Sequence, residues 1–409
     1  MFLEILRRRN PEFVRAIAAL HSSGDLPANC YALDLEAISA NAAAFASEST
    51  RLGLTAFAMT KQLGRNPDVS RVLVQAGITH AVAVDLQCAI AAVSGGLEIG
   101  HIGHLVQIPR HEASIAASLS PHYWTVFNAT KAQEAAAATL EYGRTQDVLL
   151  RIYAPSDRFY PGHEGGFAVE DLLAAADMVD SIAGLRFAGV TTFPATLFDP
   201  ESGTAKATPN RATLTRAAQL LKDAGRGDVE VNAPGTTSVS VLEELAKAGA
   251  TQVEPGHGLT GTTPLHAVRD LVEQPALAYV SEISHIHNGR AYVFGGGLYV
   301  DPVLAQNPTT ALIVPPGGDP LATVALLVEM PASQAIDYYA AIPLPDNSTA
   351  AVGDTVIFGF RAQAFVTRAL TAGIAGVAGG IPTVEGIWAA DGSAPLTPSN
   401  PLTATGLSS

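Results

Sequence analysis

A single lysine closes the apolar run Leu54-Thr55-Ala56-Phe57-Ala58-Met59-Thr60-Lys61. Such a run reads as a buried parallel strand, and its C-terminal end is where barrel enzymes keep their chemistry. Burial disfavours the ammonium form, and a desolvated amine attacks aldehydes to give a Schiff base. The alternative is a strand-end lysine that only extends its stem to water. Two later segments add donors: Asn232-Ala233-Pro234-Gly235-Thr236-Thr237-Ser238 and Val253-Glu254-Pro255-Gly256-His257-Gly258-Leu259-Thr260-Gly261. Each follows a predicted strand. Gly235 lets the backbone approach an anion, and Thr236, Thr237 and Ser238 bring hydroxyl and amide donors to the start of a helix predicted over 239–248. That composition suits a phosphate cradle, and it also suits an ordinary N-cap.

The elements that must position these residues alternate between short apolar strands and alanine-rich helices, the pattern of βα units and a parallel sheet. Strands are expected over 54–60, 79–84, 104–108, 122–127, 148–152, 187–193, 229–232 and 251–254. These eight are enough to close a TIM (β/α)8 barrel. Helices are expected between them, as over 131–142, 169–183 and 211–224, and an earlier strand over 30–34 leads into a helix over 35–47. After Thr263 the alanine-rich texture gives way to β-branched runs punctuated by Gly and Pro, over 276–286, 290–299, 322–329, 355–360 and 365–369. The expected organisation is an α/β barrel over 1–265 followed by a C-terminal β domain over 266–409, with the 30–34 strand able to join the second. The tail from Ala394, rich in Pro, Ser and Thr, reads as loosely packed.

Composition narrows the class. At 409 residues and 48% hydrophobic content the chain buries a large core and suggests two domains. A net charge of −14 and a pI near 5.2 argue against nucleic acid or an anionic membrane as a partner. Cys30 and Cys88 are too few for a disulfide framework, which points to a reducing cytoplasm. The opening Met1-Phe2-Leu3-Glu4, with Arg7-Arg8-Arg9 behind it, lacks the basic-then-apolar order of a signal peptide. No apolar run has membrane-spanning length.

Lys61, the Gly235-Thr236-Thr237-Ser238 loop and Glu254-Pro255-Gly256 together resemble the fold-type III pyridoxal phosphate enzymes, the alanine racemase and ornithine decarboxylase superfamily. Met59-Thr60-Lys61 and the run from Glu254 to Gly261 are most similar to its YhfX-like branch. The resemblance implies pyridoxal 5'-phosphate held as an imine by Lys61, with Gly235, Thr236, Thr237, Gly256 and His257 around the phosphate. It implies a small-molecule amino acid as substrate and a homodimer with shared active sites. The leading activity is an amino-acid racemase or epimerase in which the released Lys61 moves the α-proton. Decarboxylase or lyase chemistry on the same scaffold is the alternative, and a non-catalytic carrier of the cofactor is a third reading.

Glu254 bears on that choice. Alanine racemases put an arginine at the corresponding place, which keeps the pyridine nitrogen unprotonated, whereas a carboxylate raises that nitrogen's pKa and makes the ring a stronger electron sink. Phe193, in Gly189-Val190-Thr191-Thr192-Phe193-Pro194, falls where the family usually sets a histidine against the ring, and an aromatic side chain stacks there as well. Arg151, at a strand end, and His163, in the glycine-rich loop after it, are candidates for orienting substrate or cofactor. His101, within His101-Ile102-Gly103-His104, and Arg65 are further candidates. The second acid of a racemase is sought among Tyr292, Tyr299, Tyr338, Tyr339, His285 and His287. His285-Ile286-His287 puts two imidazoles on one strand face, but no third ligand stands out, so no metal is expected. Gly295-Gly296-Gly297 follows no βα unit and reads as a turn or bulge.

Overall fold

A computed structural model of the chain describes residues 1–299, 308–332 and 336–394. The chain divides into two compact units, one of residues 37–61 and 70–275 and the other of residues 1–36, 62–69 and 276–409.

In the first unit eight parallel strands follow one another in chain order: Thr55–Ala56, His80–Ala83, Glu98–Ile102, Tyr123–Val126, Gln146–Tyr153, Leu185–Thr191, Glu230–Asn232 and Gln252–Val253. Gln252–Val253 pairs with Thr55–Ala56, and a parallel bridge between Ala58 and Ala81 closes the ring. This is the α/β barrel expected from the strand count. Its strands are covered on both faces, which explains why Val148, Leu149, Leu150 and Ile152 are all fully buried where a one-sided sheet would alternate. The surrounding helices pack through small side chains. Ala129–Leu140 buries Ala132, Ala135, Ala136 and Thr139 at helical spacing. Helix starts are fixed by side-chain caps: Asp85 accepts the Cys88 amide at 2.7 Å and Asn128 accepts the Lys131 amide at 3.0 Å.

Two barrel strands differ from expectation. The run over 54–60 is regular strand only at Thr55–Ala56, after which the chain bridges once at Ala58 and winds into a 3-10 turn, Thr60–Leu63. The third strand is Glu98–Ile102 and not 104–108. The backbone leaves the sheet at Gly103, whose φ of +77° is a left-handed conformation and whose absent Cβ would stand 2.6 Å from the Thr125 carbonyl. The apolar residues that follow lie in a loop, with Val106 exposed.

The second unit is built on a sheet ordered Leu326–Leu327, Thr310–Val314, Thr355–Phe358, Leu277–His287, Cys30–Asp34, Leu370–Ala375, Thr383–Ala389. Cys30–Asp34 lies inside it, antiparallel to Leu277–His287 with Tyr31 opposite Tyr279, and parallel to Leu370–Ala375 with Tyr31 opposite Thr371. Two N-terminal helices, Phe2–Arg9 and Pro11–Ser23, bury Leu3, Leu6, Phe13 and Ile17 in one core with Val280, Leu312 and Ile357. The expected strand over 322–329 shrinks to Leu326–Leu327, and Val324 in its flank is exposed. At 365–369 a 3-10 turn, Ala364–Val366, stands in place of strand, and the strand is the next segment, Leu370–Ala375. Gly297 packs against the Tyr279 ring, and its carbonyl accepts the Tyr31 hydroxyl, so the triple glycine serves close backbone packing. Cys30 and Cys88 are buried free thiols. Among the described residues no helix is long and apolar enough to cross a membrane. The tail from residue 395 lies outside the described residues.

Candidate active site

The C-terminal ends of the barrel strands gather the chemistry-bearing residues. Lys61 is half-buried on the turn after Thr55–Ala56, and the amide of Met59, two residues before it, donates to the Pro255 carbonyl at 2.8 Å. That bond ties the lysine's strand end to the Glu254-Pro255-Gly256 loop.

Glu254, at the end of Gln252–Val253, is buried and surrounded by donors. Its Oε1 accepts from His101 Nδ1 at 3.0 Å and from Asn232 Nδ2 at 3.0 Å, while Oε2 stands 3.7 Å from His104 Nε2. The amide of Asn232 is itself oriented, since its Oδ1 accepts the Thr191 hydroxyl at 2.7 Å. His101 completes its bonding through Nε2, 2.5 Å from Thr125 Oγ1. With Nδ1 carrying the ring proton toward the carboxylate, Nε2 accepts from that hydroxyl, a tautomer assigned from the network. Burial alone raises the Glu254 pKa, but the hydrogen bonds donated by His101 and Asn232 outweigh it and hold the group below the usual carboxylate range. His104 is driven the other way. Complete burial, reinforced by the positive charges of Arg151 and Lys61, overcomes the pull of Glu254 and lowers it to about 3. His104 is therefore neutral at pH 7, and the donors that keep Glu254 ionised are His101 and Asn232.

Arg151 is fully buried on Gln146–Tyr153. Its Nη2 donates to the carbonyls of His163 at 3.2 Å and Phe193 at 3.3 Å, and its guanidinium lies 5.3 Å over the Phe127 ring. Burial lowers its pKa to about 10, against the pull of Glu254 and Asp157, so it stays charged. His163 is half-buried and stacks on Phe193 at 5.9 Å, with Phe193 edge-on to His104 at 6.1 Å. Burial, with the charges of Lys61 and Arg151, lowers the His163 pKa despite Glu164. Lys61, Arg151, His163, Phe193 and Glu254 thus share one electrostatic neighbourhood.

The two glycine loops also meet. A Cβ on Gly258 would stand 2.6 Å from the Thr237 carbonyl, so the Gly256-His257-Gly258 turn lies against Gly235-Thr236-Thr237. Gly235 is a glycine because the Thr196 carbonyl sits 2.3 Å from where its Cβ would be, and the Thr236 amide donates to that same carbonyl at 2.8 Å. Thr236 is thereby committed to the backbone. Ser238 caps the helix Val239–Lys247, and the carboxylate of the buried Glu273 accepts the Val239 amide at 2.7 Å. The amides of Thr237 and Ser238 have no protein acceptor among the described residues.

Orphaned polar atoms complete the site, two on the sequence candidates Arg151 and His163 and two on residues that sequence reasoning passed over, His104 and Thr196. Arg151 Nε, His104 Nε2, His163 Nδ1 and Thr196 Oγ1 are buried polar atoms without a hydrogen-bond partner. Such orphans are unusual, and these four lie on residues near the C-terminal ends of the barrel strands. His104 was legible as the partner of His101 in His101-x-x-His104; Asn232 and Thr196 carried no signal beyond their places at strand ends. The remaining candidates belong to the other unit. Arg65 lies 5.8 Å over Phe365, and His285 stacks on Tyr292 at 4.6 Å and meets Tyr339 edge-on.

Comparison with known proteins agrees with this architecture. Residues 33–264 match the family model "Alanine racemase, N-terminal domain", and residues 278–384 match "YhfX-like, C-terminal domain". A relative from Escherichia coli K12, "Uncharacterized protein YhfX", is 36% identical over 386 residues, covering 94% of this chain and 97% of its own. Among solved structures, D-threonine aldolase from Filomicrobium marinum superposes with a TM-score of 0.63 at 18% identity, over 90% of this chain and 96% of that one. Alanine racemase from Clostridium difficile 630, in complex with cycloserine, gives 0.59 at 13% identity, over 88% and 98%. D-threo-3-hydroxyaspartate dehydratase from Delftia sp. HT23 gives 0.59 at 18%, over 83% and 91%. At these identities the structures speak for the fold, whereas the family match and the 36% relative speak for descent: the chain belongs to the alanine racemase family of fold-type III enzymes, in its YhfX-like branch.

Proposed function

We propose that the protein binds pyridoxal 5'-phosphate, the cofactor of its family, and racemises or epimerises an amino acid. The residues present fit the group. Lys61 supplies an amine for its aldehyde, Glu254 an acceptor for its ring nitrogen, Phe193 and His104 flanking rings, and the Thr237 and Ser238 amides donors for its phosphate. When bound, the cofactor draws electron density from the substrate's α-carbon into its ring.

The rest falls to side chains of this chain. Lys61 removes or returns the α-proton, and Arg151, charged and with an unpaired buried Nε, holds the substrate carboxylate. One observation carries the racemase reading: inversion needs a second proton-handling group, and His163 is a neutral imidazole with an unpaired buried Nδ1 within the field of Lys61. Decarboxylation or lyase chemistry is the second reading, favoured by the ionised Glu254, which suits a protonated ring. Fold neighbours named as an aldolase and a dehydratase accord with it.

The test is incubation of the protein, loaded with pyridoxal phosphate, with single L- and D-amino acids. Chiral chromatography reads enantiomers; parallel assays read carbon dioxide, aldehydes and 2-oxo acids. Appearance of the opposite enantiomer supports the first reading. Release of a cleavage product with no inversion transfers the assignment to the second, and no turnover across the panel sinks both. Borohydride should fix the cofactor covalently to the wild type and not to Lys61→Ala; equal labelling of the two would remove Lys61 from its role.

A further inference from the structure

Three side chains with no part in the mouth converge at the opposite, N-terminal ends of neighbouring barrel strands. His80 opens His80–Ala83, Glu98 opens Glu98–Ile102, and His122 immediately precedes Tyr123–Val126. The parallel register sets His80 beside Glu98, and the His122 amide donates to the Ile99 carbonyl at 2.9 Å, so the sheet ladder fixes all three.

Both imidazoles turn the same nitrogen toward one carboxylate oxygen. His80 Nε2 is 3.4 Å and His122 Nε2 3.7 Å from Glu98 Oε2, and the three atoms lie within 4.8 Å of one another. Ligands on a tetrahedral zinc ion, each at about 2.0–2.2 Å, are separated by roughly 3.4 Å. Two edges of the triangle are therefore close to ligating spacing, while His80 Nε2 is buried without a hydrogen-bond partner. The other nitrogen of His80 lies 2.8 Å from Thr79 Oγ1. With Nδ1–H donating there, the Nε2 lone pair faces the carboxylate, the outer-sphere arrangement that orients a metal-bound histidine.

We propose that His80, Glu98 and His122 form a binding site for a divalent transition metal of the zinc type, with the remaining position left to water. Side-chain exposures of 71% for Glu98 and 49% for His122 give the ion a path from solvent. Three ligands from three consecutive strands would cross-link the floor of the barrel, so the metal stabilises the fold at a distance from the mouth. The buried cluster of His101, His104 and Glu254 also brings ligand atoms within 4.8 Å, but both nitrogens of His101 and one oxygen of Glu254 are already engaged in hydrogen bonds, and a metal there must break them.

The full chain, stripped with chelator, is titrated with Zn2+ by calorimetry and with Co2+ by visible absorbance, and its melting temperature is followed against metal concentration. Glu98→Gln and His122→Ala change solvent-facing atoms, and His285→Ala serves as the control. One equivalent per chain, a tetrahedral Co2+ spectrum and a metal-dependent rise in melting temperature are expected in the wild type and the control. Each ligand variant should melt like the wild type without metal and bind at least about tenfold more weakly. No binding at submillimolar metal, or equal binding by all four proteins, overturns the site.

Discussion

Glu254 stays ionised inside the barrel because His101 and Asn232 donate to one of its oxygens, each at 3.0 Å. Removing one donor leaves the carboxylate to the burial that works against it. His101→Ala is expected to destabilise the protein by about 1–3 kcal/mol, read by chemical denaturation, with a smaller loss for Thr125→Val, which touches only the far ring nitrogen. His104 sets a pH dependence. Its folded pKa of about 3 lies below the ordinary 6.5, so the unfolded chain binds the extra proton first. The stability it contributes is fully present above pH 6.5 and is lost as pH falls toward 3, at up to about 1.4 kcal/mol per pH unit. Glu254, with its lowered pKa, loses stability in the same direction as acid protonates it. Denaturation midpoints between pH 7 and pH 4 should fall less steeply in His104→Gln, and identical slopes would refute the assignment.

At the scale of elements, the loops after Glu230–Asn232 and Gln252–Val253 hold the site by backbone contact more than by side chains. Gly235→Ala would place a methyl group 2.3 Å from the Thr196 carbonyl, so the Thr196–Asp199 strand must shift. A cost of about 1–3 kcal/mol and a weakened affinity for pyridoxal phosphate are expected together. Asp85→Ala removes an N-cap from Leu86–Ser94 and should cost about 1 kcal/mol, leaving cofactor affinity unchanged. Thermal melts and cofactor titration of the two variants separate a site loop from a scaffold helix. The helices were legible because alanine at helical spacing is a long, redundant signal, as in Ala129–Leu140. Short strands rich in glycine and small residues were not: Glu98–Ile102 carries Gly100, and Leu370–Ala375 carries Gly373, so neither shows the β-branched run that marks a strand.

For the whole molecule, the decisive fact is that the sheet unit is discontinuous in sequence. Cys30–Asp34 is an interior strand between Leu277–His287 and Leu370–Ala375, and the helices Phe2–Arg9 and Pro11–Ser23 complete its core. A fragment of residues 266–409 therefore lacks an interior strand and exposes two unpaired edges. It is expected to aggregate or give poorly dispersed amide resonances, whereas the full chain folds; a well-dispersed fragment spectrum would contradict this sheet order. We also propose a homodimer, to be checked by size-exclusion chromatography with light scattering. A monomer at all concentrations would rule it out.

The sequence alone determined the barrel, the lysine just beyond its first strand and the two glycine loops, because these depend on periodicity and on local backbone rules that operate within a few residues. Glu254 was singled out by the family resemblance, while the flanking Pro255-Gly256 marks in the sequence where its strand stops. Only the tertiary structure decided which groups face Glu254. His101 and Asn232, and Thr191 that orients Asn232, come from three different strands, separated by scores of residues, and no local spacing encodes that meeting. The same holds for Cys30–Asp34, whose apolar run reads identically whether it enters the barrel or the sheet. Its neighbours are chosen by which edge offers the longer ladder and the larger buried face, a comparison made between distant segments only when the chain has folded.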